Sequence, residues 1–152
     1  MSAACLPPAA GLQPAEVLAR AGSNFATGFL CLDPERRAGM TAIYAFCRAA
    51  DDAADDAPDP ATARAHVQFW RDELDAAAAG NASTPVGRAV QAALQRFGGG
   101  PAPLVALLDG VTMDIEPRGC ADETELRLYC WRVASAVGLA CLPVLGATGE
   151  IA

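Results

Sequence analysis

Apolar residues recur at helical spacing along almost the whole chain, and no stretch alternates cleanly in the manner of a strand. Prolines and glycines divide this pattern into segments. It predicts a short helix over 14–21 and a second over 25–32, separated by Gly22-Ser23-Asn24. A long helix over 34–57 follows, opened by Asp33 as N-cap with Pro34 at the first helical position, and stopped by Pro58 and Pro60. Pro60 opens a helix to 79, and Pro85 opens one that ends before Gly98-Gly99-Gly100. Pro103 begins another, to about 116. Asp122, with Glu125 three residues on, has the form of a capping box for a last helix that runs to about 142 and ends at Pro143. Residues 1–13, with Pro7, Pro8 and Gly11, read as a loose leader. The expected fold class is all-α, in one domain.

Composition agrees with that reading and narrows the function. Hydrophobic residues make up 53% of the chain, and many are alanine, which favours helix. The net charge is −7, from 18 acidic and 11 basic residues, and every basic residue is arginine. An acidic chain without a basic stripe argues against nucleic acid as a partner. A metal ion can still bring an anionic substrate to an acidic site. The cysteines are Cys5, Cys31, Cys47, Cys120, Cys130 and Cys141; none forms a CxxC pair and His66 has no second histidine near it, so a zinc site is not expected. They read as reduced core thiols of a cytosolic protein, and His66 as a surface or packing residue. The N-terminus lacks the features of a signal peptide. The uncharged run over 133–149 is broken by Gly138, Pro143 and Gly146, and reads as a buried core helix rather than a membrane span.

The densest chemistry lies in Tyr44-Ala45-Phe46-Cys47-Arg48-Ala49-Ala50-Asp51-Asp52-Ala53-Ala54-Asp55-Asp56. On a helix, Tyr44, Arg48, Asp51 and Asp55 stand at i, i+4, i+7 and i+11 and form one narrow stripe. Like charges one turn apart repel, and acids at a helix C-terminus oppose its dipole. A compensating cation resolves that conflict, and clustered carboxylates suit Mg²⁺ bound together with phosphate oxygens. A solvated acidic helix end is the alternative. A second carboxylate, Asp114, shares a helix face with Leu104, Leu107 and Val111, so it is expected to point inward and to need a partner. Tyr129, Val133, Ala136 and Ala140 form an apolar face with one phenol at its start; by itself Tyr129 reads as a core tyrosine.

Three patterns, in order, resemble one family. Ser23-Asn24-Phe25 through Leu32-Asp33-Pro34-Glu35-Arg36-Arg37, with Ala42-Ile43-Tyr44-Ala45-Phe46-Cys47-Arg48 and the acidic run, is similar to the first half of squalene/phytoene synthases. Asp109-Gly110-Val111-Thr112-Met113-Asp114 and Tyr129-Cys130-Trp131-Arg132-Val133-Ala134-Ser135-Ala136-Val137-Gly138-Leu139 also resemble that family. The resemblance spans about residues 20–146 and makes 14–152 the N-terminal portion of such a domain. It implies a helical bundle of the isoprenoid-synthase type around a central cavity. It implies head-to-head condensation of two prenyl diphosphates, farnesyl or geranylgeranyl, with release of pyrophosphate. The context of Tyr44 to Arg48 leans toward presqualene diphosphate or squalene synthases of hopanoid pathways. Asp51 and Asp55 would hold Mg²⁺, Arg48 would contact diphosphate, and Phe25, Tyr44 and Tyr129 match aromatic cavity positions. Asp114, Val133 and Val137 match substrate-binding positions.

Gly22, Ala26, Thr27 and Ser135-Ala136 depart from the usual family residues at their positions. Family members also continue to a second aspartate-rich motif on a later helix. The chain is therefore expected to be truncated, to lack a C-terminal half that completes the metal cage, and to turn over little by itself. A head-to-tail prenyl elongase shares the Asp51-Asp52-Ala53-Ala54-Asp55 pattern but not the flanking segments, and a di-iron bundle would need Glu-x-x-His pairs that are absent. A non-catalytic fragment or subunit is the rival from another class. The expected location is the cytoplasm, with peripheral contact to the inner membrane left open because the products are lipids.

Overall fold

The computed structural model describes residues 6–115 and 118–147. Among them all regular structure is helical: α1 (Pro14–Ala21), α2 (Phe25–Phe29), α3 (Pro34–Asp55), α4 (Pro60–Ala78), α5 (Pro85–Phe97), α6 (Ala102–Ile115), α7 (Glu123–Cys130), a π-helical turn (Trp131–Ser135) and α8 (Ala136–Cys141). The end expected for the sixth helix at about 116, the residues 1–5 of the expected leader and Cys5 lie outside the described residues.

Helix starts follow the capping chemistry of the sequence. Asp33 accepts the Arg36 amide at 3.0 Å, Asp59 accepts those of Ala61 and Thr62, and Thr84 accepts that of Gly87 at 2.9 Å. Asp122 accepts the Glu125 amide at 2.9 Å. The reciprocal half of that expected box is displaced: the Glu125 carboxylate takes the Ala121 amide at 2.6 Å and pairs with Arg118 at 2.6 Å. The second helix is shorter than its apolar pattern predicts. It stops at Phe29 because Arg37 supplies donors to the carbonyls of Phe29, Leu30 and Leu32, at 3.2, 3.0 and 2.9 Å.

α3 is the central element and packs against α1, α2, α4, α5, α6 and α8. Its inner face is built on alanine: Ala42, Ala45, Ala49, Ala50 and Ala53 are buried. Small side chains let neighbouring backbones approach, and the gaps are filled by larger residues opposite, among them Trp70, Leu74, Leu104 and Leu107. Phe46 and Trp70 meet edge to face at 5.9 Å. His66 is buried, a packing residue. The leader is not loose over residues 6–13: Pro7, Ala9 and Ala10 are buried, and Ala9 joins the core with Val17.

Two further expectations change. The last helix is not continuous, because the π turn interrupts it where Gly110 of α6 meets the backbone of the turn. A Cβ at Gly110 would lie 2.8 Å from Arg132 Cβ and 2.8 Å from Val133 Cγ1. The run from 133 is therefore a half-covered arm rather than a buried core helix, with Ala136 and Val144 its buried residues among those described. Nor are the cysteines uniformly core thiols: Cys47 is buried and Cys141 half-buried, while Cys31, Cys120 and Cys130 are exposed.

A polar group inside α4 ties the lower bundle together. The buried Glu73 carboxylate accepts from the amide and hydroxyl of Ser83, both at 2.8 Å, and from the amide and hydroxyl of Thr84, at 2.6 and 2.9 Å. Gly87 must lack a side chain here, since a Cβ would overlap the Glu73 carboxylate. Burial pushes the Glu73 carboxyl up, but the Thr84 and Ser83 donors outweigh it and hold the pKa below its ordinary 4.5. Glu73→Ala strands those donors and is expected to cost about 3 kcal/mol in urea unfolding at pH 7. Because the folded pKa is lowered, the stabilisation is present above about pH 4.5 and is lost as pH falls through the folded value. The gap between wild type and Glu73→Ala should therefore narrow in acid, and a gap that widened would contradict this account.

Candidate functional site

Beside its alanine face, α3 presents the predicted stripe to a two-part cleft. The apolar part is about 260 Å³, lined by Phe25, Phe29, Met40, Ile43, Tyr44 and Cys47 on one side and Leu107, Val133, Val137 and Cys141 on the other, with Arg48 and Asp51 at one end. The polar part, about 240 Å³, is lined by Arg48, Asp51, Ala54, Asp55, Val111, Asp114, Tyr129 and Val133. Arg48, Asp51 and Val133 line both parts, so an apolar chamber opens onto an acidic one across α3.

Each wall has a local cause. Arg37, by fixing the end of α2, holds Phe25 and Phe29 over Tyr44, at ring-centroid distances of 6.1 and 6.3 Å. The Gly110 contact sets Val133 against α6. Tyr129 then donates its hydroxyl to Asp114 Oδ2 at 3.0 Å, joining α7 to α6 at the acidic end.

The stripe is graded in exposure. Asp51 is half-buried, whereas Arg48 and Asp55 are exposed at the mouth. Arg48 pairs with Asp52 at 2.8 Å, so the acid it touches is neither Asp51 nor Asp55. Burial raises the Asp51 carboxyl to about 6, and the neighbouring charge of Asp55 adds to this; Arg48 opposes it, and Asp52 and Asp114 contribute further in the raising direction. Burial likewise raises the Tyr129 hydroxyl to about 12, with its bond to Asp114 acting in the same direction.

All of the predicted site residues line this cleft. Asp114, however, is exposed rather than buried: the inward position at the end of α6 is taken by Ile115, and Asp114 stands beside it at the rim, where its partner is Tyr129. Phe25 is 66% exposed, a rim residue of the chamber. Sequence reading passed over Met40, Ile43, Cys47, Leu107 and Cys141 as cavity walls. Ile43 and Cys47 precede Tyr44 and Arg48 by one position each, so the stripe's helical neighbours were the available signal. It also passed over a groove of about 720 Å³ beyond Asp114 and Tyr129, where Arg71 and Arg132 share the Asp109 carboxylate at 2.8 and 3.9 Å.

Among the described residues no group of three or more histidine, cysteine or acidic side chains converges to hold a metal ion. The donor set nevertheless fits part of a Mg²⁺ site. Asp51 and Asp55 could supply hard oxygens, and a divalent ion would relieve their mutual repulsion, which adds to burial in raising the Asp51 carboxyl. The remaining ligands of such an ion would be diphosphate oxygens and groups beyond these helices.

The all-helical regular structure of the described residues is consistent with the all-α isoprenoid-synthase fold. The chain belongs to the squalene/phytoene synthase family, which it matches over residues 18–152. It is 38% identical over 136 residues to a presqualene diphosphate synthase of Zymomonas mobilis, covering 87% of this chain and 46% of the relative. It is 37% identical over 126 residues to a phytoene synthase of Mycobacterium tuberculosis, covering 83% of this chain and 41% of the relative. A presqualene diphosphate synthase of Rhodopseudomonas palustris is also 37% identical over 126 residues, 82% of this chain and 45% of the relative. The chain thus spans less than half the length of these relatives. Prenyltransferases of this kind generally use a divalent metal. No described helix is long and apolar enough to cross a membrane.

The charge of Asp55 contributes to the position of Asp51, so Asp55→Asn should lower the Asp51 pKa from about 6 toward 3.8, read by carbon NMR of the carboxyl. The sign for stability follows. A raised folded pKa means the folded chain binds more protons than the unfolded chain between pH 3.8 and about 6, so this group makes stability fall as pH rises through that window. Asp55→Asn should flatten the fall; an unchanged Asp51 titration would show that the two carboxylates do not interact.

Proposed function

We propose that this chain carries the first half of the catalytic chamber of an enzyme joining two prenyl diphosphates head to head, with loss of pyrophosphate. The observation that carries the reading is the junction at Arg48 and Asp51, where an apolar chamber meets an acidic mouth. A prenyl diphosphate has that same polarity. Its hydrocarbon would lie among Ile43, Leu107, Val133 and Val137, which exclude water from the reacting carbons. Its diphosphate would lie at the mouth, where Asp51 and Asp55 would hold Mg²⁺ and Arg48 would offer a planar fork for phosphate oxygens. When bound, Mg²⁺ would neutralise the diphosphate as a leaving group.

The other residues shape and polarise the chamber. Tyr44 and Phe25 present ring faces and edges near the point where an allylic cation would form, and cation–π attraction would favour positive charge there. Tyr129 is held by Asp114, which fixes the phenol and keeps its proton at the hydroxyl oxygen. Of the two candidate substrates, farnesyl diphosphate is favoured by the sequence context around Tyr44 to Arg48, with presqualene diphosphate or squalene as product. Relatives of both kinds, presqualene diphosphate and phytoene synthases, stand at similar identity. A cytoplasmic enzyme that meets its lipid products at the inner membrane surface fits this activity.

Two measurements test the reading. The purified 152-residue chain with farnesyl diphosphate and Mg²⁺ should release at most traces of pyrophosphate. The same chain completed with the portion that its relatives carry in addition should release pyrophosphate steadily and form product. In that completed protein Asp51→Ala or Asp55→Ala should lower kcat by about 100-fold or more. Unchanged turnover would remove both residues from the role given to them.

A further inference from the structure

Three hollows meet at Arg48. It lines both parts of the cleft and also a separate polar hollow of about 200 Å³ on the other side of α3. Pro8, Ala9 and Leu12 of the N-terminal segment close that hollow together with α1, and Asp52 and Asp56 line it from α3. Successive residues of a helix point about 100° apart, so Asp52 turns to this hollow where Asp51 turns to the cleft. Both acids stand within about one turn of Arg48, at i+3 and i+4, and either could take its guanidinium. The guanidinium goes to Asp52, Nη2 to Oδ1 at 2.8 Å. The N-terminal segment steadies that pair. Ala9 and Val17 belong to the core, and the Asp52 side chain beneath them is only 24% exposed. With Arg48 itself 46% exposed, an i, i+4 pair of this kind adds little to stability. Its consequence is where it leaves the guanidinium.

We propose that Asp52 is a positioning residue, which holds the Arg48 guanidinium off Asp51 so that the Asp51 and Asp55 carboxylates face the cleft without a cation against them. This rests on the metal role given above to Asp51 and Asp55, and deepens it by giving the second acid of the run a task other than ligation. Without the Asp52 carboxylate, Asp51 is the acid that Arg48 reaches next, on the cleft side of the helix. A guanidinium seated there would compete with Mg²⁺ for the same oxygens. Asp56 does not replace Asp52: it lines the same hollow but stands about two turns further along α3. With Asp52 in place, Arg48 stays at the junction of the apolar chamber and the acidic mouth. The bond uses Nη2, and the other N–H donors of the fork remain for phosphate oxygens.

The test titrates Mg²⁺ alone into the 152-residue chain and follows the amide resonances of α3. Wild type, Asp52→Asn, Arg48→Met and the double variant are compared, with circular dichroism to check that each keeps its helix. Removing a nearby negative charge weakens Mg²⁺ binding whatever its role, so the difference between backgrounds isolates the contact. Asp52→Asn should weaken binding at least about fivefold more when Arg48 is present than in Arg48→Met. Asp52→Glu, which keeps the pair, should bind Mg²⁺ as the wild type does. An equal loss in both backgrounds overturns the proposal. The contact itself is read without metal, by scalar coupling across the hydrogen bond from the Arg48 guanidinium. In the wild type it should connect to the Asp52 carboxyl carbon, and in Asp52→Asn to that of Asp51. A guanidinium that pairs with Asp51 in the wild type, or that fails to reach it in Asp52→Asn, also overturns the proposal. A wild-type chain that takes up no Mg²⁺, with the guanidinium moving as expected, counts against the metal reading of the site and still supports Asp52 as the residue that positions Arg48.

Discussion

The alanine face of α3 is the constraint on which the rest depends. Five buried alanines let α3 lie close to its neighbours, and the next face around the helix carries Tyr44, Arg48, Asp51 and Asp55. A helix packed this tightly has no freedom to roll, so the burial of one face fixes the heading of the other. Asp51 is thereby held where water is only partly removed, with Asp55 exposed beside it at the mouth. Full burial would force the carboxylates to neutralise or to be paired at heavy cost. Full exposure would leave them screened and of little use to a ligand. Asp51, half-buried and raised to about 6, sits between these limits.

Local rules made the helices legible. Proline after an acidic or hydroxyl cap marks the starts of α3, α4 and α5, and each cap forms the bond expected of it. The stripe was legible for the same reason: residues at i, i+4, i+7 and i+11 must share a face whatever the tertiary fold. What could not be read was the depth of that face. Asp114 follows Leu104, Leu107 and Val111 in phase, yet it lies at the rim, while Ile115, one position on, is buried at the end of the same helix. Periodicity gives a direction around the helix axis; it does not tell how wide an arc of that face the neighbouring helices cover.

Long-range polar contacts were hidden in a different way. Glu73 looks like any surface acid of an amphipathic helix, and its four bonds come from Ser83 and Thr84, a turn away in space but ten and eleven residues along the chain. The signal that existed was Gly87, an unforced glycine in the first turn of a helix, which makes sense only if something large occupies its Cβ position. Gly110 is the same kind of signal in α6, pointing to the close passage of the π turn. At Asp122 the cap formed but the reciprocal half of the box did not, because the Arg118 guanidinium and the Ala121 amide were within reach of Glu125.

These two glycine contacts also divide the structure into parts of unequal security. Around Glu73 and Gly87, apolar burial and charge-assisted hydrogen bonds act together, so α4 and α5 are fixed from several directions. Around Gly110 the arm that carries Tyr129, Val133 and Val137 is fixed chiefly by α6, with an uncovered face opposite. Cleft geometry on the α3 side is therefore set by the core from several directions, while geometry on the arm side is set chiefly by α6. A chamber of the proposed kind, which would hold a cation away from water, needs both walls firm. The Tyr129–Asp114 bond therefore matters to the second wall, because it ties the start of the arm to α6 at the acidic end of the cleft.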